Sequence, residues 1–261
     1  MLFRDDAYLR DAPAIVSAIT DEGGIVLNQS VFYPTGGGQP GDSGWLEWDG
    51  KRLPLATAIK GQGDDIILVP SEASQMPPLG AHVTQVLDWD RRYRHMRVHT
   101  ALHLLSVVVP FGVTGGQISA THGRLDFDMP DAPQDRDGIE EALNDLVSLD
   151  ARVAADWITE EELAASPKLV KTMAVQPPKG AGHIRLICIG EKSDFIDLQP
   201  CGGTHVARTG DIALFKIVLA MIWLLVIAKN IGMGVAWHRF TAWPNIWFKR
   251  EGSGRTALGA V

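Results

Sequence analysis

Two histidines four residues apart, His99 and His103, are answered about a hundred residues later by Cys201, Gly202, Gly203, Thr204 and His205. This pairing restricts the fold more than any other feature. Residues at i and i+4 share one helix face, so His99 and His103 can offer both rings to one point in space. A thiolate and a third imidazole from a glycine-containing turn complete a tetrahedral nitrogen and sulfur set, which suits zinc. The chain must therefore fold so that a helix near residue 100 meets a turn near residue 203.

The donor set does not say whether the metal would be structural or catalytic. Four protein ligands close a structural site, whereas catalysis needs an open position. An open zinc lowers the pKa of its water to about 7. A metalloprotease is disfavoured because Thr100 stands where that motif has its glutamate base. His95, one turn before His99, reads as a solvated helix-face residue. His82, His122, His183 and His238 read as background, and Cys188 as a buried strand residue.

The chain divides by pattern. Residues 1–88 are expected to be all-β, with apolar runs at 24–27, 30–33, 45–48 and 65–69 broken by Gly, Pro and Asp turns. Such spacing suggests a small barrel or sandwich. A helix is predicted over Tyr93 to Val109, ended by Pro110. A second is predicted over Asp135 to Ser148, with Ile139, Leu143, Leu146 and Val147 on its apolar stripe. Thr159 and Glu162 form a capping box for a third. His183 to Ile189 reads as a buried strand. Helices and strands mixed without a βαβ rhythm give an α+β class for residues 89–212.

Two further clusters draw notice. Arg91, Arg92, Arg94 and Arg97 crowd the start of the metal-bearing helix, where the dipole prefers acids. They are either a solvated face balanced by Asp88 and Asp90 or a phosphate-binding patch. Gly36, Gly37 and Gly38 can approach a ligand closely, yet no Gly-Lys-Ser/Thr follows, so this is no nucleotide phosphate loop.

Four segments in order, Ser30 to Tyr33, Gly36 to Asp42, His99 to Leu105 and Cys201 to Val206, resemble the editing domain of alanyl-tRNA synthetase and its free-standing relatives, the AlaX proteins. The resemblance covers roughly residues 1–212. It implies a small β-barrel followed by a zinc-binding α+β editing domain. It also implies hydrolysis of alanine tRNA mischarged chiefly with serine, with glycine as the further candidate. Its zinc ligands fall on His99, His103, Cys201 and His205, and its glycine-rich site loop on Gly36, Gly37, Gly38 and Gln39. The chemistry agrees, because a pocket sized for alanine cannot reject glycine by size and rejects serine poorly. Gln39 and Ser30 are the candidate catalytic residues, Ser30 as a partner for the serine hydroxyl. Gly36 to Gly38 with Arg91, Arg92 and Arg94 are the candidate substrate contacts. A non-catalytic tRNA-binding module with structural zinc is the alternative, and a general zinc esterase a weaker third.

The net charge of −7 argues against indiscriminate nucleic-acid binding. The resemblance implies mischarged alanine tRNA as the partner, and no DNA. Two cysteines and an acidic start fit a reducing, cytoplasmic setting. The tail, residues 213–261, departs from the family. It carries one acid, Glu251, and half of the eight tryptophans. A reading-frame change near Val218 or Leu219 would account for it, with a genuine hydrophobic appendage as the alternative. Its apolar run, Ile217 to Ala228, is short of the ~20 residues a membrane span needs.

Overall fold

The computed structural model describes residues 1–72, 75–131, 133–166, 169–172 and 182–212, together with the backbone of 215–218 and 245–248. The rest of the tail, on which the reading-frame expectation falls, lies outside the described residues.

A short helix α1 (Leu2–Asp5) leads into six strands: β1 (Asp11–Ile19), β2 (Ile25–Leu27), β3 (Gly44–Trp48), β4 (Lys51–Lys60), β5 (Ile66–Pro70) and β6 (His82–Leu87). They close a barrel in the order β1-β2-β5-β4-β3-β6. Alternation drives the closure, since β1 buries every second residue, Ala12, Ala14 and Val16, inward. Phe32, Leu46, Leu53 and Leu68 fill the centre.

The run Ser30 to Tyr33, expected as a strand, is irregular although wholly buried. Side chains rather than a neighbouring strand satisfy its amides from Val31 to Tyr33. The Val31 amide donates to Gln85 Oε1, the Phe32 amide to Ser30 Oγ, and the Tyr33 amide to an Asp42 carboxylate oxygen.

The second half is built on helix α2 (Trp89–Val108). Asp88 caps it by accepting from the Arg91 amide, and Asp90 in the first turn offsets the arginine crowding. It begins four residues earlier than the apolar pattern suggested, because that cap lies on the barrel side of the arginines. Strands β7 (Gly112–Ile118) and β8 (His122–Asp128) form a hairpin, followed by α3 (Arg136–Ser148) with Asp135 as its cap. Then come β9 (Val153–Thr159), α4 (Glu160–Ala165) with the expected Thr159–Glu162 capping box, β10 (His183–Glu191) and β11 (Asp194–Pro200). The last three strands form a sheet in the order β11-β10-β9. Backbone strands β12 (Phe215–Val218) and β13 (Asn245–Phe248) extend β7 and β8 into a four-stranded sheet, order β12-β13-β8-β7. Helix α2 lies between these layers, so Met96, Val98, Ala101, Leu102, Leu104 and Leu105 are buried almost all the way round. Among the described residues no helix is long and apolar enough to cross a membrane.

The two halves share a dry seam. Arg92 is fully buried, with its Nε donating to both Asp42 carboxylate oxygens at 3.0 and 2.9 Å. Its Nη1 donates to the Ala7 carbonyl and its Nη2 to the Val31 carbonyl and to Asp42. Each nitrogen of the planar fork thus finds a partner.

Candidate metal centre and the cavity it faces

His99 and His103 project from α2 one turn apart, and the turn after β11 carries Cys201 and His205 to the same point. One ligand atom from each of the four lies within 4.8 Å of every other. Cys201 Sγ is 3.4 Å from His99 Nε2 and 3.3 Å from His205 Nε2. Arms of about 2.0 Å to nitrogen and 2.3 Å to sulfur put tetrahedral donors about 3.5 Å apart. The residues present therefore fit one zinc ion.

What lies behind the donors strengthens that fit. Each histidine has its far nitrogen, Nδ1, engaged by a fixed group, which leaves Nε2 facing the centre. His99 Nδ1 lies 2.9 Å from Gln39 Oε1, His103 Nδ1 lies 2.9 Å from Asp197, and His205 Nδ1 lies 3.2 Å from Thr100 Oγ1. Such outer contacts fix tautomer and ring orientation in metal sites. Gln39 is itself held, donating from Nε2 to Thr204 Oγ1 at 2.8 Å and accepting from the Thr204 amide. Thr100 Oγ1 donates to the Met96 carbonyl and accepts from the Val206 amide.

Electrostatics follow the geometry. Burial alone would raise the Cys201 thiol, but the His99 and His205 imidazoles override it and hold it well below its usual value. The Gly203 amide also points at this sulfur. Burial opposes charge on His103, yet the Asp197 carboxylate and the Cys201 thiolate push it up to about 9. The same contact, with Lys171 at 2.5 Å, draws Asp197 down to about 2 against the cost of burial.

Glycine is required at two points. A Cβ on Gly203 would stand 2.2 Å from His99 Cε1, so a side chain there would displace the ring. Gly38 has φ +80°, and a Cβ on it would meet the Gly116 carbonyl at 2.7 Å. Its own carbonyl accepts from the Ile118 amide at 2.8 Å, pinning the loop to β7. The loop turns tightly, with Gly36 and Gln39 exchanging two backbone hydrogen bonds of 3.0 Å.

The cluster opens on a cavity of about 620 Å³. His99, His103 and Cys201 line it, as do Gly36, Gly37 and Gly38, whereas His205 lies behind them. The wall carries Arg4, Lys60 and Arg185 together with the carboxylates of Asp64 and Asp65. Arg91 and Arg94 do not line it. Arg92, expected with them as a phosphate contact, is instead spent inside the protein, where Asp42 and the Ala7 and Val31 carbonyls take its donors. Ser30 lines a neighbouring cavity of about 320 Å³ and not the one the cluster faces. Gln39 is fully buried behind His99, so it touches a ligand ring rather than the cavity.

His95, expected on a solvated face, is 1% exposed. Its Nδ1 has no hydrogen-bond partner among the described residues, and burial with the nearby Arg91, Arg92 and His99 charges lowers it to about 4. It stays outside the donor cluster. Asp197, Thr100, Thr204 and Arg185 were not singled out from the sequence. Thr100 and Thr204 carried a local signal, inside the His99 to Leu105 and Cys201 to Val206 segments.

Replacing Gln39 with alanine is expected to free the His99 ring and lower zinc affinity by about 10- to 100-fold while the fold persists. Competition with a chromophoric chelator reads this directly, and an unchanged affinity would remove Gln39 from the site.

Comparison with known proteins adds independent findings. Residues 184–235 match the family described as the threonyl and alanyl tRNA synthetase second additional domain, and residues 10–91 match the class II (A) tRNA synthetases. The chain is 33% identical over 227 residues to the alanyl-tRNA editing protein AlaX-M of Methanosarcina acetivorans, covering 83% of this chain and 91% of that protein. It is 32% identical to AlaX-M of Methanosarcina barkeri, over 82% and 89% of the two chains. An alanine–tRNA ligase of Pyrobaculum neutrophilum is 35% identical across 83% of this chain, which is only 25% of that longer enzyme. With a six-stranded barrel ahead of an editing-type domain, and near full-length likeness to AlaX-M, the chain belongs to the AlaX family of alanyl-tRNA editing proteins.

Proposed function

We propose that this chain is a zinc-dependent deacylase that acts in trans on alanine tRNA mischarged with serine, and by the same size logic with glycine. The observation that carries it is the His99, His103, Cys201 and His205 cluster bordering a cavity of about 620 Å³. The names of the AlaX-M relatives support an editing role.

His99, His103, Cys201 and His205 would hold one zinc ion. When bound, that ion would supply Lewis acidity, polarising a carbonyl and making a water acidic near neutral pH. This chain's own residues do the rest. Gln39, Asp197 and Thr100 orient the three imidazoles. Arg185 donates from Nη1 to the Cys201 and Gly203 carbonyls, at 3.0 and 2.9 Å, and so holds the ligand turn against β10. Arg4 and Lys60 place positive charge at the cavity wall, where it would meet phosphate. Gly36 to Gly38 leave backbone rather than side chains facing the substrate.

A non-catalytic module with structural zinc is the second reading, favoured by the presence of four protein donors. The burial of His205 behind a face of three donors favours catalysis, because substrate in the cavity meets that face. The test is deacylation of Ser-tRNA and Ala-tRNA of the alanine isoacceptor. Serine release should exceed alanine release by about 10- to 100-fold, since a site polar group is left unpaired by alanine. Binding without hydrolysis would leave the structural reading in place.

A further inference from the structure

Beyond the metal cluster, the cavity carries one side chain that no described contact requires there. Eight large apolar side chains are exposed among the described residues, and of these only Trp157 lines the cavity. The indole is 46% exposed and also borders the second cavity, where Arg4, Asp64 and Asp65 are again its neighbours.

Its position relative to the cluster is set by strand register. Trp157 on β9 pairs with Arg185 on β10, so the two side chains leave the sheet on the same face about 5 Å apart at Cβ. Arg185 in turn grips the carbonyls of Cys201 and Gly203. The indole thus stands one side chain away from the ligand turn, on the wall of a space far larger than an aminoacyl group needs.

We propose that Trp157 is a substrate-binding residue that stacks on the terminal adenine of the tRNA, holding the 3′ end so that the aminoacyl ester faces the metal cluster. This rests on the deacylase reading above. A single-stranded end offers an unpaired base, and aromatic side chains are the usual platform for such a base.

Alanine substitution at a base-stacking aromatic weakens binding by roughly 5- to 150-fold. The experiment is a binding cycle with uncharged alanine tRNA, whole or lacking its terminal adenosine, against wild type, Trp157→Ala and Trp157→Phe protein of native-like melting behaviour. Wild type should lose affinity on removal of the adenosine, Trp157→Ala should be indifferent to it, and Trp157→Phe should regain most of the difference. Deacylation run in parallel should show the Trp157→Ala defect in KM rather than kcat. Equal losses in wild type and Trp157→Ala, or a wild type indifferent to the clipped end, would overturn the assignment. Because the cycle uses uncharged tRNA, it stands apart from catalysis. Failure of serine release sinks the deacylase reading, and failure of the cycle with serine release intact sinks only the role of Trp157.

Discussion

Cys201→Ala protein that remains folded is expected to release serine from mischarged alanine tRNA at least about 10³-fold more slowly than wild type. The magnitude follows from the several kcal/mol that a bound metal contributes to transition-state charge, at about 1.4 kcal/mol per decade of rate. Cys201 is the donor most exposed to this change. It is the one thiolate of the set, it lines the cavity, and it lies within 3.4 Å of two imidazoles. His103→Ala should behave alike, and would also leave the buried Asp197 with Lys171 and Gln199 but without its imidazole partner. Elemental analysis supplies the companion readout, about one zinc per wild-type chain and little in either variant. Undiminished serine release from a zinc-free variant would end the metal-dependent reading.

Arg92→Met is expected to destabilise the protein by about 3–5 kcal/mol, the usual effect of removing one partner from a buried pair. Native stabilities are about 5–15 kcal/mol, so this removes a large share. For a chain of this size the melting temperature should fall by about 6–20 °C. The loss arises from what remains. Asp42 would stay buried with the Tyr33 amide as a donor but no cation, and the Ala7 and Val31 carbonyls would each lose a donor. A double variant, Arg92→Met with Asp42→Leu, should recover part of the loss, because removing both charges abolishes the desolvation cost. Thermal or urea unfolding checks both. A single variant that melts within a degree or two of wild type would show the pair to be dispensable.

Much of the centre was legible from spacing alone. The four donors could be read because two lie at i and i+4 on one helix and two flank a pair of glycines. The barrel could be read in outline, since short apolar runs between turn residues leave few other folds. The misreadings have a common cause: burial imposed by distant chain. His95 looks like a solvated helix residue, and Arg92 like a solvated or phosphate-binding one, until the barrel is laid against α2. Ser30 to Tyr33 looks like a strand because its alternation is apolar, but Gln85 and Asp42, brought from elsewhere in the barrel, answer its amides instead. Asp197 was invisible because nothing in the run from Phe195 to Pro200 announces a carboxylate that will meet a histidine 94 residues earlier. Only tertiary contact decides such positions.

The hydrogen bond from the barrel loop through Gln39 to His99 crosses the seam between the halves. Catalytic competence would then depend on that seam staying shut. A small molecule wedged between the halves from outside would turn the imidazole away without entering the substrate space. Such an inhibitor would lower turnover at any tRNA concentration, and raising the substrate level would not relieve it.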